Sequence, residues 1–125
     1  MRRVIGLLSL PVSGAFDPFL RVIMSGGALA LAGANDDEIG VLNDRAIGPP
    51  QFPMAAVIPQ GDPAQRDGVA SAAILQYAYV YAAANGQLGP TGTPAQLRGL
   101  SMTAAAGAGS WFQYLPFKAG SGATY

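Results

Sequence analysis

Any chemistry in this chain would have to come from very few side chains. The densest polar cluster is Asn35-Asp36-Asp37-Glu38. Such a run of side-chain oxygens could hold Ca²⁺ or supply a carboxylate pair for acid–base work. It lacks the spaced ligands of an EF-hand loop. It reads instead as a solvated loop between two strands. The chain contains no histidine and no cysteine. Their absence removes the commonest general base, the imidazole and thiolate metal ligands, and any disulfide. A Ser–Lys pair would need Lys118, the only lysine, and no serine sits in a nucleophile-elbow pattern. There is no phosphate-binding G-x-x-x-x-G-K-[ST] loop. Gly107-Ala108-Gly109 is not followed by the third glycine of a dinucleotide fingerprint and reads as a flexible turn. The sequence therefore assigns no catalytic, cofactor-binding or metal-ligating residue, and a small carboxylate hydrolase is the weakest of the functional readings.

Charge narrows the field further. Seven basic and seven acidic side chains cancel, and charged residues make up 11% of the 125 positions, well under the roughly 25% of an ordinary soluble domain. Apart from Arg2-Arg3 there is no basic cluster, so neither a nucleic-acid backbone nor an anionic membrane surface has a matching face. A chain so poor in charge is expected to hide part of its outer surface against neighbours. The stretch 68–97 carries no charge, but its most apolar part, Val69 to Ala84, is shorter than a membrane span and ends at Asn85-Gly86. It reads as buried β structure.

The elements that would carry such a surface are strands. Tyr77-Ala78-Tyr79-Val80-Tyr81 alternates with period two, and Asn85-Gly86 supplies the positive-φ pair of a tight hairpin. Further strands are expected at Ala28–Ala32, Ile39–Asn43, Met54–Ile58, Leu97–Thr103 and Trp111–Phe117, with Ala104–Ser110 as a small-residue connection. With 17 glycines and 10 prolines, long helices are disfavoured. The one helical possibility is a short segment entered through Asp62-Pro63 and reaching toward Ala73. At the N-terminus, Arg2-Arg3 precede a short apolar run, and Val12-Ser13-Gly14 could pass as a signal-cleavage site. The run is short for that purpose and reads as an arm or strand. The expected organisation is an N-terminal arm over 1–26, a β-domain over 27–117 and a C-terminal tail over 118–125. The expected fold is all-β, a small β-barrel or β-sandwich with extended N-terminal and C-terminal arms.

A weak internal repeat supports a two-layer core. Ala28 to Asn35 is similar to Ala78 to Asn85, and each copy leads to a glycine-containing strand, Ile39-Gly40-Val41-Leu42 or Arg98-Gly99-Leu100-Ser101. Two such hairpins could pack face to face over one core. Candidate contact residues are aromatic. Tyr77, Tyr79 and Tyr81 place three phenols on one strand face, more amphipathic than a core requires. Trp111 lies on the opposite strand face from Phe112 and Tyr114 and suits an interface anchor. Phe16 and Phe19 in the expected arm complete the set. A core row with hydroxyls at the rim remains the alternative for the tyrosines, and a core position the alternative for Trp111.

The order of these features resembles the small head-decoration, or capsid-cement, proteins of tailed bacteriophages. The likeness lies in an alternating strand ending in Ala83-Ala84-Asn85-Gly86, a polar loop, the strand Leu97-Arg98-Gly99-Leu100-Ser101-Met102-Thr103, and the strand Phe112-Gln113-Tyr114-Leu115-Pro116. It covers roughly residues 27–117. The resemblance implies a β-tulip-like fold, symmetric clusters (often trimers), and a seat on the outer capsid surface of the virion, where the subunits clamp neighbouring major capsid proteins. The partners expected are therefore the major capsid protein and further copies of this chain, with no cofactor, no direct nucleic-acid contact and no membrane. The first 26 residues are longer and more apolar than that pattern requires, which suits an arm reaching a neighbouring subunit. The alternative is a secreted β-domain that binds carbohydrate or another ligand.

Overall fold

A computed structural model describes residues 7–48, 54–59 and 64–116. The protein is all-β. The described residues form ten strands and two single-turn 3-10 segments, with no α-helix. No helix among them is long and apolar enough to cross a membrane. The chain divides into two compact units, residues 1–32 with 36–62, and residues 33–35 with 63–125.

The first unit is a five-stranded antiparallel sheet. Its strands are β1 (Leu8–Pro11), β2 (Arg21–Ser25), β3 (Ala28–Leu31), β4 (Gly40–Leu42) and β5 (Met54–Pro59), in the order β1-β5-β4-β2-β3. Gly26 and Gly27, both at positive φ, turn β2 into β3. One face gathers Val22, Leu29, Leu42 and Val57 with Val12, Ala46 and Ala55, and Leu10, Phe16, Leu31 and Ile39 pack against them. Each fully buried Val or Leu in such a cluster contributes about 1.5–3 kcal/mol relative to an exposed one.

The second unit contains β6 (Arg66–Val69), β7 (Tyr79–Ala82), β8 (Leu88–Gly89), β9 (Leu97–Ser101) and β10 (Trp111–Pro116), in the order β6-β10-β9-β7-β8. Its core is Ala70, Ile74, Val80, Leu88, Ala105, Phe112 and Tyr114. The Phe112 and Tyr114 rings stack at a tilt, with centroids 5.8 Å apart, a geometry that adds to their area burial. Asn85 and Gly86 take the positive φ that their turn between β7 and β8 needs.

The two strand orders are the same once β6 is set against β1, β7 against β2, and so on. The detail repeats as well. The isolated bridges Val12–Leu29 and Phe16–Ala46 in the first unit correspond to Ala70–Leu88 and Ile74–Ala105 in the second. Phe19 and Tyr77 occupy one equivalent position, and both have positive φ, 69° and 61°. Their N–H groups donate to equivalent carbonyls, Leu42 at 2.9 Å and Ser101 at 2.8 Å. Gly40 pairs with Pro59, and Gly99 pairs with Pro116. A Cβ on Gly40 would run into the Ile58 carbonyl oxygen, and one on Gly99 into the Leu115 carbonyl oxygen. A glycine opposite a strand-ending proline is therefore a sterically enforced feature of each unit.

Several expectations from sequence are corrected here. The segment expected as an arm over 1–26 supplies β1 and β2 of the first sheet; its residues 1–6, and the tail at 118–125, lie outside the described residues. The segment expected to be a short helix toward Ala73 contains β6, because Arg66 to Val69 pair antiparallel with Tyr114 to Trp111 and outweigh the helix-start cue. That cue itself, Asp62-Pro63, lies outside the described residues. The repeat is real, and Gly40-Val41-Leu42 corresponds to Gly99-Leu100-Ser101 as expected, but the alanine-rich runs before them match in another register. Ala28–Leu31 (β3) matches Leu88–Gly89 (β8), and Tyr79–Ala82 (β7) matches β2. Each unit has its own buried cluster, where a single core was expected.

Candidate interaction surface

The second sheet separates its faces cleanly. Along β10, Phe112 and Tyr114 are buried while Trp111, Gln113 and Leu115 are exposed. Along β7, Val80 and Ala82 are buried while Tyr79 is exposed and Tyr81 half-buried. Register aligns these residues across the sheet. Leu100 on β9 lies opposite Tyr79 on one side and opposite Leu115 on the other. Tyr79, Leu100 and Leu115 thus form a row across three neighbouring strands, at the close spacing of directly cross-strand residues. Trp111, 60% exposed, stands further along β10 opposite Val69, which is only 7% exposed. Tyr79, Tyr81, Leu100, Trp111, Gln113 and Leu115 are uncharged, but Asp67 on β6, directly opposite Gln113, brings a half-buried carboxylate to the same face.

The segment entering β7 is held by Ser101. Its Oγ donates to the Leu75 carbonyl at 2.6 Å and accepts the Ala78 N–H at 2.9 Å. Gln76 Nε2 donates to the Met102 carbonyl at 3.1 Å. Between these ties Tyr77 adopts its left-handed backbone, and both Leu75 (79% exposed) and Tyr77 (63%) stand out into solvent. A bulky residue at positive φ is costly, on the order of 1–2 kcal/mol, and the bonds around Ser101 hold it there. In the first unit the position of Ser101 is taken by Leu42, which has no hydroxyl to make such a clamp.

The sequence-derived contact residues therefore divide. Tyr79 and Tyr81 share the outer face of β7. Tyr77 precedes that strand and is not part of the alternation, contrary to the expectation of three tyrosines on one strand face. Trp111 is exposed, on the face opposite the core. Phe16 is half-buried, bridged through its backbone to Ala46 and packed against the first core cluster. Phe19 is half-buried at its strained position.

The acidic run is not simply a solvated loop. Glu38 is buried, and its carboxylate lies 3.3 Å from Arg21 Nη1, with the two side chains 2% and 0% exposed. Among the described residues, no group of three or more His, Cys, Asp or Glu could hold a metal ion. Arg66 and Arg98 are buried too, and Arg98 Nη1 donates to the carbonyls of Ala95 at 3.0 Å and Leu97 at 3.1 Å. Four charged side chains, Arg21, Glu38, Arg66 and Arg98, are thus buried, and the exterior carries still fewer charges than composition suggests. No sequence signal marks Arg21 or Arg66 as buried, because the alternation of a short strand tolerates a charge on either face.

No protein-family model matches the chain, and no curated protein matches it in sequence. Among solved structures, its fold is similar to the N base of head fiber gp8.5 in bacteriophage phi29, with a TM-score of 0.72 at 14% sequence identity. The match covers 90% of this chain and 94% of that one. The architecture built from the two repeated five-stranded units is thus one that a phage head-fibre base also adopts.

Proposed function

We propose that this chain is a structural subunit of a phage virion, a homo-oligomer on the outer capsid surface that bridges major capsid protein subunits. The observation that carries the reading is the fold likeness to a phage head-fibre base over nearly the whole of both chains. The sequence resemblance to capsid-cement proteins points to the same place, the phage head. The chemistry of the chain agrees with it. A protein that works by contact needs area and shape rather than a nucleophile or a general base. The aromatic-bearing outer face of the second sheet supplies both, and trimeric clusters would multiply weak single contacts into firm attachment. On this reading the chain is not an enzyme and carries no cofactor.

The test is reconstitution. Capsids assembled without the chain are mixed with the purified protein and sedimented, and the pellet is imaged by cryo-electron microscopy. The expected result is saturable co-sedimentation, with density over junctions between major capsid protein subunits. Protein that stays in the supernatant at every concentration overturns the proposal.

A further inference from the structure

We infer that β1 is an open sheet edge to which a second copy of this chain adds its own β1, antiparallel, with Leu8 opposite Leu8 across a two-fold axis. The inference rests on the virion reading for its biological setting only, and it names the strand through which copies pair.

The hydrogen-bond pattern identifies the open backbone groups. β1 stands at the end of its sheet and pairs on one side with β5, Leu8 opposite Val57 and Leu10 opposite Ala55. The carbonyl of Ala56 accepts the Asn43 N–H at 3.0 Å, so Ala56 points toward the β4 side and away from β1. Backbone groups alternate sides along an antiparallel strand. Val57 and Ala55 therefore point toward β1 and bond Leu8 and Leu10. Ser9 directs its N–H and C=O away from β5, and by the same alternation so does Leu7. Further along this edge Val12 bridges Leu29 of β3, and Leu7 to Leu10 lie before that bridge. Leu7, Leu8 and Ser9 are exposed, the two leucines at 53% and 42%, and none of the three is charged.

The geometry of the edge selects the occupant. N–H and C=O groups at strand spacing are matched by another free strand edge. Among the described residues, the other outer strands offer none. β3 and β8 are bridged by Val12 and Ala70 on the sides away from β2 and β7. β6, the counterpart of β1, is buried at Arg66, Gly68 and Val69. A symmetric pair there would set Arg66 against Arg66, the kind of charge that guards natural edges against such pairing. β1 has Leu8 where β6 has Arg66, and so lacks that guard. Two copies of β1 also fit each other in a definite register. Leu7 faces Ser9 of the partner subunit, and Ser9 faces Leu7 of the partner subunit, each supplying an N–H and a C=O, so every outward group is matched. Leu8 meets Leu8 of the partner subunit at the close, non-hydrogen-bonded site between them. It does so on the face where Leu10 packs against the core cluster, so the apolar strip continues from one copy to the next. Centring the pair on Ser9 instead would put Leu7 opposite Pro11, which has no N–H to give. A two-fold contact sets like against like, and an uncharged edge bears that without penalty.

The full-length protein is diluted stepwise and its mass followed by light scattering. The expected mass is at least twice the 12.7 kDa of the monomer and falls on dilution. Ser9→Pro removes an N–H that the sheet itself does not use; it should keep the circular dichroism spectrum and lower the mass by half. The chain has no cysteine, so Leu8→Cys introduces a single thiol. Opposed Cα atoms at a non-hydrogen-bonded site are about 4.5 Å apart, within disulfide range. Mild oxidation of Leu8→Cys at low micromolar concentration should therefore give a covalent dimer. Ser9→Cys, offset along the strand from its own mate, should stay largely unlinked. A monomer at every concentration overturns the inference, as does a Ser9→Pro variant that folds and associates like the wild type, or Leu8→Cys linking no faster than Ser9→Cys. If Ser9→Pro does not fold, the comparison of the two cysteine variants decides. Paired copies that ignore capsids would sustain the inference and remove the virion reading. Monomers that bind capsids would do the reverse.

Discussion

Replacing Glu38 by glutamine tests whether the acidic run is a surface loop or part of a buried ion pair. The Glu38 and Arg21 side chains are 2% and 0% exposed, and the oxygen and nitrogen are 3.3 Å apart. That is longer than the 2.7–2.9 Å usual for a charge-assisted bond, so the pair itself adds little net stability. Breaking it is another matter. Glutamine leaves the guanidinium of Arg21 buried with its countercharge gone, and such losses cost about 3–5 kcal/mol. A domain of this size has only about 5–15 kcal/mol in total. With an m of about 1.5 kcal/mol/M in urea, the midpoint should fall by about 2–3 M. Asp37→Ala removes only an exposed surface carboxylate and should stay within about 1 kcal/mol of wild type. Arg21→Met combined with Glu38→Leu should recover most of the loss, because an apolar pair of similar volume removes the desolvation cost of both charges. Urea unfolding followed by circular dichroism measures all three. Glu38→Gln behaving like Asp37→Ala would refute the reasoning, and so would a double variant as weak as the single one.

Three further outcomes follow from local geometry. Gly99→Ala would place a Cβ against the Leu115 carbonyl oxygen, and 3.0 Å from Tyr114 Cδ2; backbone must shift, so unfolding should come about 1–3 kcal/mol earlier, whereas Gly107→Ala, with nothing within 4 Å, should be nearly neutral. Ser101→Val removes the acceptor of the Ala78 N–H and the donor to Leu75, and should cost about 1–3 kcal/mol by the same assay. Tyr77→Asn keeps the positive φ with a residue that tolerates it, and loses little burial at a position 63% exposed. It should be neutral or stabilising by up to about 1 kcal/mol, and a loss larger than that would show the ring packs inward.

The strands most readable in the sequence are those whose side-chain types alternate. Tyr79-Val80-Tyr81 and Trp111-Phe112-Gln113-Tyr114 show their two faces directly, and Asn85-Gly86 marks the turn between β7 and β8. The strands that escaped are those that break the usual signs. Arg21 opens β2 with a charge that proves buried, Gly68 interrupts β6, and Leu8–Pro11 is a short edge strand ending in proline. The repeat was visible but only half aligned: Gly40-Val41-Leu42 was matched correctly to Gly99-Leu100-Ser101, and the runs before them were not. Alanine-rich runs look alike by composition, whereas many true counterparts differ in residue type: Val12 and Ala70, Phe16 and Ile74, Leu42 and Ser101, Val57 and Tyr114. Others keep theirs: Val22 and Val80, Leu29 and Leu88, Ala46 and Ala105, and also Gly40 with Pro59 and Gly99 with Pro116, where a Cβ cannot fit on the glycine. Among the contact residues, Tyr79, Tyr81 and Trp111 were legible from alternation. The part played by Leu100 and Leu115 was not, because cross-strand register aligns them and no single strand reveals it.

The most direct measurement of the central claim is a count of this chain in purified particles. Virions grown from the genome that encodes it are purified by gradient centrifugation and quantified by mass spectrometry against their major capsid protein. The account predicts a fixed ratio that holds from one preparation to the next and drops when the chain is stripped from the head. A chain missing from purified virions, or present only in traces that vary between preparations, would contradict it.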